Sequence, residues 1–245
     1  MLETLPMLIA INLLLLSRLR LMFRDDGAGQ SEIFKMAAIR LPILLTLGMG
    51  AGWFILLAYI VLSPVVDMLF EKRSERIYRN RIWSLLIHVS LLISIYLFAP
   101  EVSMSGSLGS IISETGIFSA DNFIVLQLYL LGGLMVMNEI NFLIRYLMFL
   151  LNLAPIGQQK TRGDITEQQY NTGRVIGMLE RLFIYSFALG GQFTAIGFIL
   201  TAKGVVRYRD FEERGFAEYV LIGTLLSALL AMGAALIIRV TIHGF

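Results

Sequence analysis

The sequence predicts an all-α protein, a polytopic transmembrane helix bundle with about six membrane helices, one of them read as interfacial or re-entrant. Three observations predict it. Residues 82–100 and 219–238 are apolar runs of about 20 residues, and at ~1.5 Å per residue each can cross a ~30 Å hydrocarbon core. The 245 residues are 57% hydrophobic and 16% charged, against ~25% charged in soluble domains, and mean hydropathy is +0.75. The runs are continuous, whereas a membrane barrel would show ~10-residue alternating strands. Helices satisfy their own backbone polar groups in lipid, so helices are expected throughout.

Six apolar segments follow in order: 4–23, 41–68, 82–100, 123–153, 175–202 and 218–238. Within the first, residues 5–16 have the apolarity of a signal-peptide core. Glu3 precedes them, Arg18 and Arg20 follow, and no small-x-small cleavage site appears, so the segment is read as retained. Segments two, four and five exceed the ~20 residues a crossing needs, and must tilt, bend or extend into the interface. Segment two contains Gly48, Gly50 and Gly52, which weaken a helix and permit a break, a re-entrant bend or close helix contact.

Lys72, Arg73, Arg76, Arg79 and Arg81 form the densest basic loop and are placed in the cytoplasm by the positive-inside rule. Residues 101–122 hold no Lys or Arg and fit the opposite side. Six crossings then put Arg24, Lys35 and Arg40 outside, with Lys203, Arg207, Arg209 and Arg214, and the bias nearly vanishes. Segment one as an interfacial helix and segment two as re-entrant are the exceptions expected to resolve this conflict. Both termini are placed inside.

Composition excludes several chemistries. Zero cysteines exclude disulfides, thiolate metal sites and Cys nucleophiles. No basic stripe with interleaved aromatics supports nucleic-acid binding. No nucleophile elbow, P-loop, dinucleotide fingerprint or His-Glu-x-x-His motif is present, so neither enzyme activity nor a cofactor is expected. His88 is the only histidine within an apolar run and reads as a core histidine bonded to a carbonyl. Asp67, Glu71 and Glu75, spaced by four, read as carboxylates neutralised by the nearby Arg73, Arg76 and Arg79.

Segment four carries Asn138, Glu139, Asn141 and Arg145. At ~100° per residue Asn138, Asn141 and Arg145 share a face, and Glu139 points toward another neighbour. A charge at mid-bilayer costs ~2.5–3.5 kcal/mol, so Glu139 is either a proton or cation site or one half of a structural pair near a helix end. In segment five, Glu180 and Arg181 precede a charge-free run, 182–202, long enough to span by itself, which makes the two charges boundary anchors. Gly190, Gly191 and Gly197 favour close helix packing, and Gln192 can hydrogen-bond across an interface. Lys203, Arg207, Asp210, Arg214 and Glu218 repeat at helical spacing, as in a short amphipathic helix at the membrane surface.

One stretch is more specific. Residues 173–227 contain Gly177 with Glu180-Arg181, Gly191-Gln192, Ala195-Ile196-Gly197-Phe198, Ala202-Lys203, Arg207, Phe216-Ala217-Glu218-Tyr219 and Gly223-Thr224-Leu225-Leu226-Ser227. This pattern resembles an uncharacterised family of bacterial multi-pass membrane proteins, a domain of unknown function. The resemblance fades back to about Ser63, so residues 1–50 read as an N-terminal extension with the first apolar helix and 51–245 as the family's bundle. Members often carry a His four residues before the Asp; Ser63 stands there in this chain, so a His–Asp pair is not expected at that place. The resemblance implies a bacterial inner-membrane location and one polar constellation of Glu180, Gln192, Lys203, Arg207 and Glu218. It implies no activity.

The reading is a non-enzymatic inner-membrane protein, an accessory or structural subunit packing against other membrane proteins or itself, in a lipid bilayer. The alternative is a small transporter or channel with a polar path near Glu139, Arg145 and Gln192. A membrane enzyme acting on lipid or isoprenoid substrates near residues 67–81 is the third.

Overall fold

The computed structural model describes residues 4–48, 50–72, 76–98, 120–151, 153, 167–206 and 214–243. Among these the chain is helical with no strand, an all-α architecture. Among the described residues five helices are long and apolar enough to cross a membrane: Leu5–Phe23, Ala51–Phe70, Ile77–Phe98, Asn122–Leu150 and Ala217–His243. The protein is an integral membrane protein. The chain divides into two compact units, residues 1–134 and 135–245.

The first unit contains α1 (Leu5–Arg18), extended by a 3₁₀ turn (Leu19–Phe23), then α2 (Gln30–Arg40), α3 (Ile43–Thr46), α4 (Ala51–Phe70), α5 (Ile77–Phe98) and α6 (Ala120–Leu134). Pro6 sits in the first turn of α1, where its missing N–H costs nothing. This helix lies at the centre of the unit: 61% of its apolar window is buried, against 28% for α4 and for α5. Ala10 and Leu14 of α1 meet Ile43, Leu47, Leu56, Ile60 and Leu92 in one apolar cluster. The segment drawn as an extension therefore supplies the middle of this core.

Segment two is not one helix. After α3 the backbone becomes extended at Leu47 and Gly50, and α4 starts only at Ala51. Trp53 Nε1 donates to the Leu44 carbonyl at 3.0 Å, so α3 lies beside the first turn of α4. The glycines expected to permit a break have done so. Within α4, Pro64 removes the amide that would serve the Ile60 carbonyl, and the Ser63 hydroxyl donates to that carbonyl instead at 2.9 Å.

The second unit holds a π turn (Met135–Glu139), α7 (Ile140–Leu150), α8 (Glu167–Leu189), α9 (Phe193–Val206) and α10 (Arg214–His243). The run 182–202, expected to cross as one helix, is interrupted. Gly191 adopts φ +69°, the Gln192 amide donates to the Phe187 carbonyl at 2.8 Å and the Gly191 amide to that of Ala188 at 3.1 Å. These are the two bonds of a Schellman ending, in which glycine takes the left-handed position without a Cβ penalty. The Gln192 carbonyl then accepts from Ala195 and opens α9. At 14 residues α9 is only about 21 Å long, too short to cross. Glycine placement, read in the sequence as packing, here makes a turn.

Candidate functional site

Four helices of the first unit bring charged side chains together within an apolar interior. Asp67 of α4, 1% exposed, accepts from His88 of α5 at Nε2 (3.1 Å) and faces Arg40 of α2 at 2.9 Å. On the other side of the imidazole, Nδ1 lies 3.0 Å from the Tyr59 hydroxyl. Arg40 Nε donates to Ser17 Oγ, which itself donates to the Leu14 carbonyl. Arg18 of α1, fully buried, donates to Ser84 Oγ and to the Arg81 carbonyl. Arg81 forks onto both oxygens of Glu71 and reaches the Leu21 and Arg24 carbonyls. Burial of this much charge is tolerated only with near-complete pairing.

The pairing has one opening. The Arg40–Asp67 contact is close but off-axis, leaving Arg40 Nη1 and Nη2 and Asp67 Oδ2 without a directed hydrogen bond. Arg40 also lines a small cavity of about 10 Å³ with Tyr59, Leu14 and Leu56, about one water position in size.

The imidazole is placed to take a proton without breaking a bond. Neutral, with hydrogen on Nε2, it donates to Asp67 and accepts from Tyr59; protonated at both nitrogens, it donates to both. The Tyr59 hydroxyl needs only to rotate, since a phenol both donates and accepts. The tautomer follows from the partners.

The sequence reading of this region needs correction at two places. His88 bonds a carboxylate and a phenol, not a carbonyl. Position 63, four residues before Asp67, is the expected Ser63, and α5 supplies an imidazole to Asp67 from across the helix pair instead. Asp67 and Glu71 are neutralised by Arg40 and Arg81, not by the arginines expected, while Arg73 and Glu75 lie outside the described residues. Arg18, Arg40 and Tyr59 were missed as site residues. Their signal is present in an apolar run that contains Arg18 and in Arg40 directly abutting another, but Arg18 reads as a flank of the first run and Arg40 as a loop charge.

A second polar group lies in the second unit. Asn138 and Glu139 are buried in the π turn and bonded to each other at 3.1 Å. A π turn frees carbonyls from the helical ladder, and Arg181 of α8 donates to those of Val136 (2.9 Å) and Met137 (3.1 Å). Arg181 is thus a structural clamp on the turn and not a boundary anchor. Glu180 pairs with Lys203 at 2.5 Å. Arg145, half-buried as is Asn141, lies within electrostatic reach of Arg181. Of the expected constellation, Glu180 and Lys203 meet. Gln192 sits exposed in the α8–α9 turn, Glu218 is exposed near the start of α10, and Arg207 lies outside the described residues.

Outside the spans, Glu32 on α2 is held by Arg20 at 2.7 Å and Lys35 at 2.9 Å. Hydrogen bonds from Lys35 and Arg20 pull its carboxyl down to about 2. Among the described residues no three His, Asp or Glu side chains converge as metal ligands. No family model, curated protein or solved structure matches the chain.

Proposed function

We propose that this membrane protein is a small proton-coupled transporter, with His88 and Asp67 as its proton-binding pair. One observation carries the proposal: an imidazole hydrogen-bonded to a carboxylate, with a guanidinium 2.9 Å from that carboxylate, each at most 3% exposed and packed against helices long enough to span. Ionisable groups at such positions are costly and mark proton or ion paths in membrane proteins. With His88 neutral, Arg40 and Asp67 offset each other beside the buried Arg18; a proton on the imidazole adds one more positive charge to a low-dielectric site. The added cost is the free energy that can drive helices apart and expose the site. Interrupted helices support the same class, since non-helical backbone at membrane depth occurs where protein or a cavity accommodates it. The path first read near Glu139, Arg145 and Gln192 moves accordingly to the first unit.

A bacterial inner membrane is the proposed location, from the resemblance over residues 173–227. The test is proton flux in proteoliposomes holding a pH-sensitive dye, under an imposed pH gradient. The wild type should dissipate the gradient faster than protein-free vesicles, and His88→Gln should not, while remaining monodisperse. Wild-type vesicles as tight as empty ones sink the proposal. Tight vesicles together with a second membrane protein co-purifying at fixed ratio return the chain to an accessory subunit.

A further inference from the structure

Two apolar segments that read as crossings are each closed at their two ends by an ion pair. Arg40 precedes residues 41–66 and Asp67 follows them, and the pair is 2.9 Å apart. Glu180 and Lys203 bracket the charge-free run 182–202 and meet at 2.5 Å, nearly equidistant along the chain from the left-handed Gly191. The two ends of a helix that crosses a ~30 Å core are held apart by that thickness, and no side chain bridges it. Both segments must therefore double back. Two glycine contacts within the second unit agree. A Cβ on Gly191 would lie 4.0 Å from Arg239 near the far end of α10, and one on Gly223, in its first half, would touch Met148 near the end of α7. The α8–α9 turn thus lies beside the end of α10 remote from its start.

We propose that residues 41–70 and the α8–α9 segment are membrane hairpins that leave and return to one face. The chain then changes sides four times: at α1, α5, the Asn122–Leu150 helix and α10. This threading removes the charge conflict of the six-crossing scheme. The segments holding Arg20, Arg24, Lys35, Lys72 and Lys203, and the basic stretch up to Arg214, all belong to one side. The other side receives both termini and residues 101–122, which hold no Lys or Arg; of the chain's 20 basic residues only Arg239 lies toward it. By the positive-inside rule the basic face is cytoplasmic and meets anionic lipid headgroups, with both termini outside, opposite to the placement a six-helix count gives.

The chain has no cysteine, so single-cysteine variants can be made directly. Each would be treated, in sealed right-side-out and inverted vesicles, with a membrane-impermeant maleimide. Ser31→Cys and Lys72→Cys flank the first hairpin, and Thr172→Cys and Glu218→Cys the second. Asn122→Cys and His243→Cys report the opposite face. All six positions are exposed. The four hairpin-flanking positions should label only in inverted vesicles, the last two only in right-side-out ones. Ser31 and Lys72 on different faces, or Thr172 and Glu218 on different faces, overturns the hairpin concerned. A variant that fails to insert is replaced by Arg76→Cys or Val206→Cys. The outcome is independent of whether protons flow.

Discussion

At the scale of the residue, the Arg40–Asp67 contact separates structural from electrostatic roles. Both side chains are buried, at 3% and 1% exposed, so removing one partner leaves the other's charge in a low-dielectric interior. Asp67→Asn is expected to destabilise by ~3–5 kcal/mol, the range for a broken buried pair. Replacing both partners, as Arg40→Met with Asp67→Asn, should recover much of that loss, because the Arg40 charge is then not left facing a neutral partner. Thermal unfolding of the single and double variants in one detergent measures the coupling. A double variant no more stable than Asp67→Asn alone would mean that Arg40 acts mainly through Ser17 and the Leu14 turn.

Elements show where local chemistry decides the architecture. The chain turns at Gly191 because that position needs φ +69°, where an L side chain is strained. Gly191→Ala should cost about 1 kcal/mol, with the nearest atom 4.0 Å from the new methyl, so the penalty is conformational and not a clash. Gly197→Ala is the control: it lies within α9 with nothing within 4 Å, and should be neutral or stabilising by up to about 1 kcal/mol. Paired unfolding midpoints check this. Equal effects at the two glycines would argue that α8 and α9 form one continuous helix. Segment five was legible as apolar and helical, and the break was not, because Gly190-Gly191 supports close packing and a turn equally well. The turn brings Glu180 and Lys203 into an ion pair, a contact between positions 23 apart that periodicity does not report.

For the whole molecule, the class of fold was readable because burial in lipid imposes length and apolarity on each helix independently. The site was readable only in part. Asp67, Glu71 and His88 drew notice as ionisable groups in or beside apolar runs, but their partners come from α2, α4 and α5, and pairing across helices has no local sequence signature. The same solvent argument yields a bulk prediction. Phe98, Leu45 and Phe198 are 84%, 79% and 75% exposed, and large apolar side chains stand exposed on every long helix. A monomer in water rarely shows contiguous apolar patches beyond a few hundred Å², so these faces need hydrocarbon around them. Membranes washed with alkaline carbonate should retain the protein, and detergent should release it folded. Diluting the detergent below its micelle concentration should precipitate it. Release by carbonate alone, with the helical signal intact in amphiphile-free buffer, would mean that water is the native solvent. The charged cluster around Asp67 would then be an ordinary buried network, with no bilayer to make its protonation a coupled event.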